Sequence, residues 1–97
     1  PEVEAAAYEH DALAELSVFG IADDRYGEVP GLVYFTKEGS ELSPDELKSF
    51  LQAKLAPFKV PVHFWRVHEP LPRLGTQKID RVTLRREYNA KVKELED

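Results

Sequence analysis

A chain of 97 residues, 42% of them hydrophobic, makes one domain with a modest core. With no cysteine it has no disulfide, no thiolate metal site and no cysteine nucleophile, and no apolar run approaches the ~20 residues of a membrane span. The net charge of −5 is uneven: residues 1–56 hold 12 Asp/Glu against 4 Lys/Arg, and residues 57–97 hold 6 against 9. The acidic half argues against general nucleic-acid binding, while the basic half can face an anionic ligand. Glu2 and Glu4 stand where a signal peptide would be basic, so the expected compartment is the cytoplasm.

Residues 2–10 are expected to form a short helix with Val3, Ala6, Ala7 and His10 on one face. Residues 14–21 alternate, Leu16 and Val18 on one side and Ser17, Phe19 and Ile21 on the other, which predicts a strand. Asp23, Asp24 and Gly27 mark a turn. A second strand over 29–36 is built on Leu32-Val33-Tyr34-Phe35, a continuous apolar run suited to burial on both faces. Lys37-Glu38-Gly39-Ser40 turns the chain again. A helix over 44–55 follows: Ser43 caps it, Pro44 fits its first turn, Glu46 completes a capping box, and Leu47, Phe50, Leu51 and Leu55 form its stripe. Pro57 and Pro61 bracket an irregular connector. The third strand, 62–67, has Val62, Phe64 and Arg66 on one face and His63, Trp65 and Val67 on the other. Asp80 caps a last helix whose apolar positions, Leu84, Tyr88, Val92 and Leu95, recur about every four residues and whose Lys/Glu-rich end frays. The order α-β-β-α-β-α predicts an α+β class: a small sheet of three strands, or slightly more, with helices on its faces. Strand order does not follow from periodicity.

Between the third strand and the last helix lies Leu71-Pro72-Arg73-Leu74-Gly75-Thr76-Gln77-Lys78-Ile79-Asp80-Arg81. A proline and a glycine frame a polar turn that presents one lysine just before a helix. A flexible ammonium on a turn can stand between two anions that must meet, cancel their repulsion and stabilise charge on a transferred group. Taken alone, Lys78 reads as a solvated lysine. Arg73 and Lys59 are basic and close to prolines, so they read as phosphate contacts or, more commonly, as solvated side chains. Asp23, Asp24 and Glu28 lack the alternate spacing of a calcium loop and read as a turn. His10, His63 and His68 have no i, i+4 partner, so no metal site is expected. Trp65 and Phe64 read as core or interdomain packing. No glycine-rich phosphate loop and no Ser/His/Asp order stand out.

The segment around Lys78 resembles the closing motif of the AMP-forming acyl-CoA synthetases and related adenylate-forming ligases, Pro-Arg-x-x-x-Gly-Lys-Ile/Val-Asp-Arg. Three more stretches are similar to that family in order and spacing. Pro1-Glu2-Val3-Glu4 matches the end of its hinge motif, Asp23-Asp24-Arg25-Tyr26-Gly27-Glu28 its Asp-x-x-x-Gly-Glu, and Leu55-Ala56-Pro57-Phe58-Lys59-Val60-Pro61 its connector to the last strand. The resemblance spans residues 1 to about 88 and covers only the family's small C-terminal domain. The large N-terminal domain, with its phosphate loop, magnesium ligand and acyl pocket, has no counterpart here.

The resemblance implies that residues 1–97 are the mobile lid of an ATP-dependent ligase joining a fatty or other carboxylic acid to CoA. Lys78 is then the catalytic lysine of adenylation, touching the acyl carboxylate and the α-phosphate. Arg73 and Lys59 become contacts to CoA or a carrier protein. The lid rotates about its hinge for thioester formation. The implied partners are its own N-terminal domain, the carboxylic acid, ATP with Mg2+, and CoA, none held tightly by this piece alone, which is expected to be inactive. Nucleic acid is not among them. The alternatives are a carrier-protein-loading adenylation domain, which commonly has a Tyr-Met-x-Pro connector in place of Phe58-Lys59-Val60-Pro61, and a standalone interaction module. One departure stands out: Gln77 replaces the glycine before the lysine. Glycine takes a positive φ freely, whereas glutamine there costs about 1 kcal/mol or more. Either the loop uses another geometry with Gly75 supplying the freedom, or adenylation is slow.

Overall fold

In the computed structural model, which describes residues 2–96, seven elements follow one another. They are α1 (Glu2–Tyr8), β1 (Leu13–Asp23), β2 (Gly27–Thr36), α2 (Pro44–Gln52), a single 3-10 turn (Pro57–Lys59), β3 (His63–Val67) and α3 (Arg81–Glu96). Pro1, the first residue of the hinge-like stretch, lies outside the described residues, as does Asp97. The strands form one sheet in the order β1-β2-β3. β1 and β2 make an antiparallel hairpin with Leu16 opposite Tyr34. β3 lies parallel to β2, with Val33 opposite Trp65. Parallel neighbours need a long crossover, and α2 with the 3-10 turn supplies it. The expected α+β architecture is the one observed.

The apolar run is the middle strand for a physical reason. Leu32, Val33 and Tyr34 are each fully buried, because helices cover both faces of β2. On one face Leu16, Leu32 and Tyr34 pack with Ala6 and Ala7 of α1 and Leu47 and Leu51 of α2. On the other, Phe19, Ile21 and Val33 pack with Leu71 and with Leu84 and Tyr88 of α3. Trp65 joins this second core, 4.6 Å from the Tyr88 ring and 6.3 Å from Phe19. Each such leucine, isoleucine or phenylalanine contributes roughly 1.5–3 kcal/mol by leaving water. The aromatic layer comes so close to the middle strand that a Cβ on Gly31 would sit 2.8 Å from Ile21 Cγ1 and 3.0 Å from Trp65 Cζ3.

The caps hold as read. The Glu46 N–H donates to Ser43 Oγ at 3.1 Å and the Ser43 N–H to Glu46 Oε1 at 2.9 Å, so the capping box of α2 is complete. These bonds hold the Glu46 carboxyl below its ordinary range. Asp80 accepts the Thr83 N–H at 3.1 Å and the Thr83 hydroxyl at 2.8 Å, which caps α3 and lowers the Asp80 pKa. The strand ends shift by up to two residues from the expected 14–21, 29–36 and 62–67, and the helices differ from expectation in three respects. α1 stops at Tyr8 rather than residue 10, since His10 Nδ1 accepts the Ala12 N–H at 3.1 Å and closes a turn. α2 stops at Gln52 rather than residue 55, yet Leu55 still reaches the core because its N–H donates to Leu51 O at 2.9 Å. Leu95 does not join the stripe of α3: it is 87% exposed. Asn89 already binds Gly20 O and the Ala22 N–H at the end of β1, so the last turn of α3 runs beyond the sheet. Among the described residues, no helix is long and apolar enough to cross a membrane.

Candidate active site

After β3 the chain folds into a small hairpin. Arg73 pairs antiparallel with Ile79. The Asp80 N–H donates to Pro72 O at 2.8 Å, the Leu74 N–H to Lys78 O at 2.7 Å and the Gln77 N–H to Leu74 O at 2.9 Å. Gly75-Thr76-Gln77 is therefore a three-residue hairpin loop, the kind that closes on one left-handed residue and a bulge. Gln77 is that residue, with φ 72°. The chain thus keeps the geometry a glycine would favour at a cost of about 1–2 kcal/mol. Gly75 does not take over: the glycines at positive φ are Gly27 and Gly39.

Lys78 comes next, exposed, and among the described residues its ammonium makes no ion pair. It lines an open concavity of about 500 Å³ with Tyr8 of α1, Glu15 and Ser17 of β1, Arg73 and Arg81. Lys59 is elsewhere. It lies on the connector, where its ammonium meets Glu2 at 2.7 Å and stands 5.6 Å from the Phe58 ring centroid. The structure brings Lys78 and Arg73 together and leaves Lys59 outside their concavity.

Arg73 faces inward. Its Nη1 donates to Gln77 O at 2.6 Å, and its Nη2 donates to the Glu15 carboxylate. The other oxygen of that carboxylate accepts the Leu71 N–H at 3.2 Å. Glu15 is only 9% exposed. A bulge between Leu13 and Glu15 turns it this way: Leu13 packs in the α1/α2 core, while Glu15, two residues on, points to the Leu71 side. Nearby, Arg81 donates to Glu4 at 3.1 Å and ties the start of α3 to α1.

The acidic turn reads as expected: Asp23 Oδ1 accepts the N–H groups of Arg25 and Tyr26 at 2.9 and 3.1 Å. Glu28 pairs with Arg85 at 2.6 Å. His63 stacks on Trp65, 5.3 Å between centroids. Among the described residues no group of three or more His, Asp and Glu could hold a metal ion. Sequence reasoning passed over Glu15. Its signal was a single carboxylate on the inward parity of an apolar strand, since acids are almost never buried without a partner.

The family pattern described as the AMP-binding enzyme C-terminal domain matches residues 2–78. A 2-succinylbenzoate–CoA ligase of Geobacillus sp. is 39% identical over 84 residues, which is 87% of this chain and 17% of that enzyme. A long-chain-fatty-acid–CoA ligase of Bacillus subtilis is 37% identical over 80% of this chain and 14% of its own length. Among solved structures, the Mycobacterium tuberculosis fatty acyl CoA synthetase superposes with a TM-score of 0.83 at 27% identity, over 93% of this chain and 18% of that one. The chain thus spans less than a fifth of the length of these relatives.

Proposed function

Because the chain belongs to the AMP-binding enzyme C-terminal domain family, we propose that it is the mobile lid of an AMP-forming acid–CoA ligase and that Lys78 serves adenylation. The observation that carries the reading is an exposed ammonium without an ionic partner among the described residues, set on a hairpin bulge at the rim of a concavity. In the closed pose Lys78 stands between the acyl carboxylate and the α-phosphate of ATP. The two anions repel each other as they approach, and the ammonium offsets that repulsion and stabilises the charge on the transferred group. The larger domain holds ATP, Mg2+ and the acid. The lid then turns about its hinge, withdraws Lys78 and leaves the acyl adenylate to the CoA thiol, a gating motion of a familiar kind. Relatives named as CoA ligases favour CoA over a carrier protein as the acceptor.

The test is Lys78→Ala in the full-length ligase, with the half-reactions assayed apart. Pyrophosphate exchange should fall by about a hundred- to a thousandfold, the cost of one such contact. Release of AMP from supplied acyl-AMP by CoA should continue. Equal loss in both half-reactions, or loss in neither, overturns the assignment.

A further inference from the structure

We propose that Glu15 is a positioning residue for Lys78, acting through Arg73 on the carbonyl of Gln77. The proposal rests on the adenylation reading of Lys78. The chain of contacts is continuous. One oxygen of the Glu15 carboxylate holds the Leu71 N–H at the entry to the hairpin, and the other holds Arg73. Arg73 in turn holds Gln77 O at 2.6 Å. That carbonyl belongs to the peptide joining Gln77 to Lys78, so fixing its plane fixes the direction in which the Lys78 side chain departs.

The clamp matters because of the residue it holds. A glycine at position 77 would rest in the left-handed region unaided. Glutamine prefers to leave it, and leaving it would swing the Gln77–Lys78 peptide and Lys78 with it. Arg73 suits the task since its planar fork presents two N–H groups to two acceptors in a fixed relative geometry, whereas the donors of a lysine ammonium rotate on a flexible stem. Glu15 suits it since β1 is the long strand of a closed hairpin and its position is set by the core. The buried carboxylate is a rigid post, and the half-exposed arginine transmits its position to the loop.

The experiment uses the full-length ligase and two variants. Glu15→Gln keeps the shape and an acceptor for Leu71 but removes the charge that holds Arg73. Arg73→Met, at a more exposed site, guards against a folding defect in the first. Amide hydrogen exchange of residues 71–78, read by mass spectrometry, should quicken in both. Unchanged exchange overturns the clamp, whatever Lys78 does. Pyrophosphate exchange should fall by about ten- to a hundredfold in both, the scale of a displacement near 1 Å, while the CoA-dependent step holds in Glu15→Gln. In a Lys78→Ala background the same substitutions should cost nothing further. If they cost as much there, Glu15 serves the fold and the proposal fails. Adding Gln77→Gly to either variant should restore most of the lost rate, because glycine needs no clamp, and failure of that rescue counts against the proposal. A Lys78→Ala enzyme with full activity would defeat the adenylation reading alone, and the exchange data would still decide whether Glu15 holds the loop.

Discussion

Replacing Gln77 by glycine should make the chain more stable. Gln77 sits at φ 72°, where a residue with a Cβ gives up about 1–2 kcal/mol. Glycine escapes that penalty but gains freedom in the unfolded chain, which costs about 0.5–1 kcal/mol. The bonds Gln77 makes are backbone bonds, to Leu74 O and from Arg73, and glycine keeps them. The net is a gain of about 0.5–1 kcal/mol, or roughly 2–8 °C in Tm for a domain of this size. Three controls isolate the cause. Gly27→Ala and Gly39→Ala, at φ 80° and 78° with open space for a Cβ, should each lose about 1 kcal/mol, the same penalty with its sign reversed. Gly75→Ala, with open space and no positive φ, should be neutral or better. Thermal and urea unfolding followed by circular dichroism measure all four. A Gln77→Gly chain that melts below the parent, beside a costly Gly39→Ala, would refute the claim that position 77 is strained.

Gly31→Ala should cost about 1–3 kcal/mol, since its methyl would press on Ile21 and Trp65 rather than on a flexible side-chain end; urea midpoints check this. Stability should hold above about pH 5 and fall as pH drops through 4. Asp80, bonded by Thr83, titrates below its ordinary 3.8 in the folded chain, and Glu46, bonded by Ser43, and Glu41, bonded by Arg66, titrate below 4.5. The folded form therefore binds fewer protons than the unfolded chain, and acid favours unfolding. Asp80→Asn should flatten that slope, as unfolding at a series of pH values will read.

What was legible locally proved reliable. Ser43, Pro44 and Glu46 announce α2 because capping is settled within four residues. Leu32 to Tyr34 announce a central strand because burial on both faces leaves no room for alternation. What depends on distant chain was hidden. The parallel pairing of β2 with β3 follows from how α2 docks, not from any residue in β3. The inward turn of Glu15 depends on a bulge at Ala14 and on an arginine far along the chain. Leu95 continued the apolar spacing of α3, but spacing cannot say where the sheet beneath it ends. At position 77 the sequence pointed to glycine's conformation while offering glutamine, and the hydrogen bonds around the turn decided for the conformation.

The contact from Glu15 to Leu71 spans 56 residues, and this bears on how the chain acquires its shape. The β1–β2 hairpin closes over three residues and can form early, because short loops cost little entropy to close. β3 pairs with β2 across a long crossover, Gly31 beside His63, and closing such a loop costs more entropy. The Lys78 turn needs both the post on β1 and the strand that delivers Arg73. Long-range contacts of this kind come late in folding. In a chain made from its N-terminus, the carboxylate is therefore in place long before the arginine that it holds.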